Sequence, residues 1–570
     1  MAETPSTAIK LRTYHNGDEV MIAWKPDGPI DNCRGFALLR RRNGAEETVQ
    51  TWVGFAAEEH TLGEHRDSTQ WPIQRFQWID YMTEPGDRLA YRVIPMVGPD
   101  RDHLTQDQAD ASDWSAEIVL SCDQSPDIGA YFNRGIVAAQ WVSRRLHITD
   151  RDFEQAAAKE LTEVIATPGN PLRNYLTGLL GARLFELLDA AAAHGRDIYA
   201  ALYELDDPQL EEALQKLGRH AHVVLSNGSV KRKGEDQNQA ARDMLRDKID
   251  LHDRMISPRA LGHNKFLVIC DDSGRPRWVW TGSQNWTQTG LCTQANNSVL
   301  IDDGELAGQY RAQWDALVQA GNATPPDLIK SNSTARHDTI GPAPVTLWFT
   351  PTAGYADLDD AKAAVDQAQR AVLFLMFNPG PKDTLLNTII DLARSDRPQR
   401  LYIKGVINQD PSTAQTKVPI FDPANVVHAD FEVVLPAAID TATKWFVQEL
   451  KKLPQAFAMV HSKVVLIDPL SANPVLITGS HNLGTKASDT NDENLLIIRD
   501  APGLASAYAT NIMSVYNQYR WRFNRIHRVT STSWDGLKDN AFWQPWLWSE
   551  PKLADVRAAK LREMDFWVGE

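Results

Sequence analysis

The sequence predicts an α/β protein of two similar halves, mixed sheets flanked by helices and packed with pseudo-two-fold symmetry, preceded by an all-β sandwich. Three observations carry this. Short β-rich runs separated by turn signals fill residues 1–122, helices alternate with apolar β runs from about residue 130, and one polar motif occurs twice. At 570 residues the chain is too long for one compact core. With 43% hydrophobic and 23% charged residues, its composition is that of a folded globular protein rather than a disordered one.

The β runs of the N-terminal part are Glu19–Trp24, Gly35–Arg41, Phe76–Ile79, Leu89–Met96 and Ser115–Leu120, a spacing that suits an accessory sandwich. Trp24 and the Tyr91-Arg92-Val93 run resemble those of fibronectin type III or immunoglobulin-like modules. In the first half, an amphipathic helix over Leu176–Ala193 leads to a strand at Asp197–Leu205, a helix at Gln209–Leu217 and a strand at Ala221–Ser226. The second half repeats the order: a strand at Leu347–Thr350, a helix at Asp357–Gln369, a strand at Ala371–Phe377, a helix at Thr384–Ala393 and a strand at Leu401–Asn408. Lys330–Pro344, rich in Ser, Thr, Gly and Pro, reads as the linker between them. The expected divisions are 1–122, 123–335, 336–530 and a Trp-rich tail, 531–570, that packs on the catalytic body.

The formal net charge is −15. A protein that coats duplex phosphate non-specifically carries a basic surface instead, so bulk charge leans against that role while leaving room for a local basic pocket. Only Cys33, Cys122, Cys270 and Cys292 occur, with no C-x-x-C pair, so neither a zinc site nor a disulfide scaffold is suggested. No basic stretch followed by an apolar run opens the chain, and no segment has membrane-span length. The expectation is a soluble, cytoplasmic protein with reduced thiols.

The repeated motif carries the chemistry. Its first copy is His263-Asn264-Lys265 with an apolar run to Cys270 and Asp271, then Thr281-Gly282-Ser283-Gln284-Asn285, then Asn296-Asn297. The second is His461-Ser462-Lys463 with an apolar run to Asp468, then Thr478-Gly479-Ser480-His481-Asn482, then Glu493-Asn494. Aligning Asp271 with Asp468 places the one extra residue of the first copy between Lys265 and Asp271. On a strand, His and Lys two apart share a face, and the returning strand brings Ser and Asn beyond the glycine to the same pocket. Each half thus offers an imidazole, an ammonium and a polar pair. A lone His or Lys in an apolar strand is usually structural; the repeated spacing argues for catalysis.

H-x-K, then Asp, then G-S-x-N, twice in one chain, resembles the phospholipase D superfamily of HKD phosphodiesterases. The likeness spans roughly residues 170–525. Cys270 occupies the usual position of the first Asp, with Asp271 one residue later; the resemblance gives that Asp a bracing role, here Asp271 and Asp468. It implies a metal-independent, cofactor-free reaction in which one histidine attacks phosphorus and the other protonates the leaving group, while Lys265 and Lys463 offset charge. It also implies that the late motif residue supports the histidine of the opposite half. Glu493 is then assigned to His263 and Asn296 to His461. A carboxylate behind an imidazole raises its basicity, so His263 is expected to be the nucleophile and His461 the general acid/base. Ser283, Asn285, Ser480 and Asn482 are expected to bind phosphate; the alternative for them is turn chemistry after glycine.

A phospholipid is the favoured substrate, hydrolysed or transferred, with transient membrane-surface contact. A nuclease or nucleotide phosphodiesterase is the alternative, and a catalytically silent binding protein the second. The sequence leaves monomer or dimer open. Lys231-Arg232-Lys233 reads as a solvated loop near the ligand end of the first half. The run Phe542-Trp543-Gln544-Pro545-Trp546-Leu547-Trp548, with Trp534 and Trp567, reads as packing rather than as a lipid or base-stacking groove.

Overall fold

Two sheets of matching topology dominate a computed structural model that describes residues 9–59, 64–135, 154–397, 399–413, 429–436, 459–527 and 536–569. The first sheet contains β1 (Ile128–Phe132), β2 (Ile198–Leu202), β3 (Ala221–Ser226), β4 (Asp250–Arg254), β5 (Lys265–Cys270), β6 (Pro276–Gly282) and β7 (Asn297–Asp302). Its order is β1-β7-β6-β5-β2-β3-β4. The second contains β8 (Arg336–Ile340), β9 (Ala343–Phe349), β10 (Ala371–Met376), β11 (Tyr402–Ile407), β12 (Phe431–Val434), β13 (Lys463–Ile467), β14 (Val475–Gly479) and β15 (Asn494–Arg499). Its order is β8-β9-β15-β14-β13-β10-β11-β12. Apart from the extra edge strand β8, the sheets agree in order and direction: four antiparallel pairings followed by two parallel ones.

The motif strands are apolar throughout because both of their faces are covered. Along β5, Phe266 and Val268 enter a core shared by the two halves, while Leu267 and Ile269 face the helices of the first half. Along β13, Val464 and Leu466 enter the same shared core and Val465 and Ile467 face the helices of the second. The helices Gly304–Ala320 and Pro502–His527, each following the last strand of its half, contribute Tyr310, Trp314, Tyr508 and Met513 to that shared core. The alternation of period two is what lets one strand serve two cores.

The stretch expected to be a linker is ordered. Arg336–Ile340 pairs antiparallel with Ala343–Phe349, and Gly341, at φ 57°, sits in the turn between them. The turn composition marks this hairpin, with Gly341 accepting the left-handed region that the turn requires.

Before residue 122 the described residues form a two-stranded antiparallel sheet, Gln50–Thr51 with Arg66–Asp67, and two larger antiparallel ones. One is Lys10–His15, Val20–Lys25 and Gln77–Asp80; the other is built on Cys33–Arg42 and Arg88–Val97 with shorter strands beside them. Trp24, Phe36, Leu38, Tyr91 and Val93 fill the core of this all-β module. The strand Lys10–His15 and the expected one at Ser115–Leu120 differ most from the sequence reading: the former was not foreseen and the latter shrinks to Ile118–Val119. Arg134 donates to the Asp18 carboxylate at 2.7 Å and ties the module to the first half.

The C-terminal tail divides between two partners. Its aromatic run packs on the β module rather than on the catalytic body: Trp543 stacks on Phe76 at 5.3 Å and meets Phe36 edge-on at 5.7 Å. Gln544 explains the docking, since its amide accepts from the Ile30 N–H and donates to the Ile30 carbonyl, each at 2.9 Å. The helix Ala554–Val568 then bridges module and second half. Buried Trp567 donates to Tyr402 Oη at 3.2 Å, and its carbonyl accepts from Tyr14 Oη at 2.6 Å. Trp534 lies outside the described residues.

Trp567→Ala is expected to lower stability by about 3–5 kcal/mol, read as a lower midpoint in denaturant unfolding. Trp546→Ala, at the partly exposed run, should cost clearly less.

Candidate active site

Each HxK segment lies at the start of a central strand, and the halves cross there. The short strand Gln294–Ala295 pairs in parallel with Met459–Val460, and Gly262 bridges to Asp492. Backbone bonds fix both crossings: His461 N–H donates to the Ala295 carbonyl at 2.9 Å, and Asp492 N–H to the Leu261 carbonyl at 2.8 Å. The residue after Ala295 is Asn296 and the residue after Asp492 is Glu493. Each histidine is thereby set beside the late motif residue of the other half. Reciprocal contacts of this kind are the mark of a two-fold relation.

His263 Nδ1 lies 2.7 Å from Glu493 Oε2, and His461 Nδ1 lies 3.0 Å from Asn296 Oδ1. Asn296 Nδ2 is committed to the Gly290 carbonyl at 2.9 Å, so its oxygen must face the ring. Both acceptors assign the proton to Nδ1 and leave the Nε2 lone pair as each ring's nucleophilic or basic edge. Lys265 Nζ donates to the His263 carbonyl at 2.7 Å and Lys463 Nζ to the His461 carbonyl at 2.6 Å. Tyr203 packs edge-on against His263 and Phe377 against His461, both at 4.6 Å, and each lysine sits 4.9 Å from the aromatic ring of its own half.

All five of these polar groups are buried; none of His263, Lys265, His461, Lys463 and Glu493 is more than 4% exposed. Burial pulls His263 well below the usual imidazole range, helped by the charges of Lys265 and Lys463; burial does the same to His461, helped by Lys463 and Lys265. Burial brings Lys265 down to about 7 and Lys463 well below its ordinary value, and pushes Glu493 up to about 7. Because each imidazole is backed by a residue of the other half, both halves contribute to one buried cluster. Burial thus opposes charge on every base of this cluster.

The serines behave differently from their expected role. Ser283 Oγ donates to Asn296 Oδ1 at 2.7 Å, and Ser480 Oγ donates to Glu493 Oε2 at 2.8 Å. Their single donors are committed to the acceptors behind the opposite histidines. Asn285 and Asn482 have buried Oδ1 atoms with no hydrogen-bond partner among the described residues, and Asn285 Nδ2 donates to Glu204 Oε2 at 2.7 Å. Glycine is required between the strands: a Cβ on Gly282 would lie 2.1 Å from the Asn297 carbonyl oxygen, and one on Gly479 would lie 2.4 Å from that of Asn494.

The two motif aspartates are not equivalent. Asp468 accepts the N–H groups of Gln369, Arg370 and Ala371 at 2.7–2.8 Å and so braces the start of β10. Asp271 is half-buried and serves its own turn, accepting from Ser273 and Arg275. Cys270 takes the place of Asp468, since Cys270 N–H bonds to Asp197 as Asp468 N–H bonds to Ala371. The extra residue of the first copy falls in the turn between Ile269 and Trp278, not between Lys265 and Asp271, because a turn absorbs an insertion that a paired strand does not.

Several site residues escaped the sequence reading. Tyr203 and Phe377 hold corresponding places just after β2 and β10, and extending the repeat upstream would have found them. Arg254 forms a buried bidentate pair with Asp492 at 2.8 and 3.0 Å across the halves. His481, Asp357 and Ser488 form a buried cluster behind the second motif. No periodicity announces these pairs.

A family model described as cardiolipin synthase, PLD-like domain, matches residues 184–318 and 362–518, about half of the chain and both motif copies. The chain belongs to this phospholipase D-like family. Among curated proteins none matches. The solved structures similar to this PLD-like chain include polyphosphate kinase from Porphyromonas gingivalis, 12% identical, with a TM-score of 0.35 over 55% of this chain and 45% of that one. The chain thus spans less than half of that kinase. Phosphatidylserine synthase from Haemophilus influenzae is 14% identical, with a TM-score of 0.40 over 68% of this chain and 93% of the synthase. The phospholipase D family member Nuc from Salmonella typhimurium is 16% identical, with a TM-score of 0.22 over 31% and 97%. Among the described residues of this PLD-like protein no helix is long and apolar enough to cross a membrane.

Binding of tungstate, an oxyanion that does not titrate near neutrality, should draw about one proton per site from solution near pH 7, because an anion between the lysines raises every depressed base. Calorimetry in buffers of different ionisation enthalpy reads that uptake; binding without it would place the anion away from these groups.

Proposed function

We propose that the protein is a metal-independent phosphodiesterase of the phospholipase D type, acting through a phosphohistidine on His263. The observation that supports this most directly is the unequal pair of contacts behind the imidazoles, a carboxylate on His263 and an amide on His461. Glu493 stabilises the imidazolium that forms as His263 attacks, which Asn296 cannot do for His461.

In the first step the His263 Nε2 lone pair bonds to phosphorus, the phosphorus to leaving-oxygen bond breaks, and His461 gives its proton to that oxygen. His461 acquires that proton when the substrate anion enters and lifts its depressed basicity. In the second step neutral His461 takes a proton from water or an acceptor alcohol, whose oxygen displaces His263. The products are a phosphomonoester after hydrolysis or a new diester after transfer. Lys265 and Lys463 offset charge on the phosphoryl oxygens, and the Asn285 and Asn482 amides orient the phosphate.

A phospholipid is the favoured substrate, hydrolysed or transferred at the phosphatidyl group. The support is indirect: a net charge of −15 suits a lipid better than a polyanion, and the matching family model carries a cardiolipin synthase description. We read residues 1–122 as a fibronectin type III-like accessory module on the strength of its three- and five-stranded sheets around Trp24. Four unpaired cysteines fit a reducing compartment.

His461→Ala should lower turnover of a chromogenic phosphodiester by about 10²–10⁴-fold, and His263→Ala should remove it. Rapid quenching with a labelled substrate should place phosphate on the peptide that carries His263; label on His461 would reverse the assignment. A panel of vesicles with several head groups, single- and double-stranded nucleic acid and cyclic nucleotides, run with chelator present, tests the substrate. Nucleic-acid cleavage with inert vesicles would overturn the lipid choice, and inertness toward every diester would favour a silent binding protein.

A further inference from the structure

Glu204 is a carboxylate at the phosphate pocket that the proposed reaction does not use. It follows β2 directly after Tyr203, whose ring packs on His263. Its Oε2 accepts from motif residue Asn285 at 2.7 Å, and the side chain of Gln237 also bonds to it. Burial raises its carboxyl above the usual range, Lys265 and then Lys463 pull it back, and Asp206 opposes them. It stands one residue from Tyr203, whose ring lies 4.9 Å from Lys265 Nζ, so it borders the lysine of its own half. The second half has Asn378 at the corresponding place after Phe377.

A carboxylate beside two phosphate-binding lysines weakens the hold on any anion, and the loss doubles when the anion's charge doubles. Nothing in the proton transfers calls for it, since Glu493 already serves His263. We propose that Glu204 sets the charge of the ligand this pocket accepts, admitting singly charged phosphodiesters and disfavouring doubly charged phosphomonoesters. The inference rests on the phosphodiesterase reading of the same pocket. Its consequence is release of the hydrolysis product: breaking one ester leaves a monoester that gains a second negative charge near neutral pH, and Glu204 repels that dianion more than it repels the incoming diester.

The test uses the full chain and two probes, dimethyl phosphate as the monoanion and inorganic phosphate at about pH 8 as the dianion. Each serves as a competitive inhibitor of chromogenic diester turnover and as a calorimetric ligand. Glu204→Gln keeps the shape and the acceptor for Asn285. It should tighten inorganic phosphate by about tenfold or more and dimethyl phosphate by markedly less, so the ratio of the two affinities changes. Glu204→Asp, which retains the charge, should retain the wild-type ratio. If the Gln variant fails to fold, Glu204→Ser is the second neutral variant.

An unchanged ratio in the neutral variants, or equal tightening for both probes, overturns the inference. So does a weaker hold on both, which would make Glu204 a plain ligand-binding group. Lys265→Ala and Lys463→Ala separate this from the underlying reading: both probes should lose affinity there. If they bind those variants as they bind wild type, the pocket is not the anion site and the phosphodiesterase reading falls with it.

Discussion

The crossing of the two halves at the histidines is the constraint from which the site follows. Two backbone bridges, Ala295 to Val460 and Gly262 to Asp492, set each imidazole against the late motif residue of the other half. Once those strands are in register, the Nδ1 contacts to Glu493 and Asn296 are nearly obligatory, because adjacent residues on crossed strands have one place to go. Further cross-half bonds hold the register. Thr281 Oγ1 donates to Asn494 Oδ1 at 2.8 Å and Asn297 Nδ2 to Thr478 Oγ1 at 2.9 Å, so the threonine of each T-G-S turn reaches the other half. Tyr310 and Tyr508, from the helices after the last strands, close the same arrangement.

Burial governs the electrostatics in the same way. Two lysines, two histidines and Glu493 are all withdrawn from water, and desolvation is the largest influence on each. Burial works against each of these charges, and the groups of opposite sign offset it for one another. In the proposed reaction a phosphodiester supplies the anion that raises these depressed bases. The asymmetry between halves then divides the labour: a carboxylate stands behind one imidazole, an amide behind the other, and a second carboxylate, Glu204, stands on one wall only.

Residues whose role is announced by repetition were legible before any fold was known. His263, Lys265, His461 and Lys463 recur at matched spacing, and the substitution of Glu493 for Asn296 is visible in the alignment of the copies. Asn285 and Asn482 keep buried amide oxygens without a partner among the described residues, whereas Ser283 and Ser480 donate to Asn296 and Glu493, because a hydroxyl beside a buried acceptor is drawn to it. Asp271 misled because sequence alignment favours identical letters, while pairing of β5 with β2 places Cys270 at the position of Asp468. The stretch at 330–344 joins the halves as the end of a helix and a hairpin, since glycine marks hairpins as readily as open links, and the aromatic run of the tail states that it will be buried without stating against what.

What the sequence by itself determined was the inventory: an α/β body doubled along the chain, a β-rich module before it, and the set of side chains able to handle a phosphodiester. Those are properties of periodicity and composition, which are local. Which residue meets which, across a separation of 230 positions for His263 and Glu493, belongs to the shared core, where Phe266, Val268, Val464 and Leu466 bury against one another and bring the halves into contact. Apolar packing has no pairwise code along the chain, so partners such as Arg254 with Asp492 and Glu204 with Asn285 were decided only by the tertiary structure.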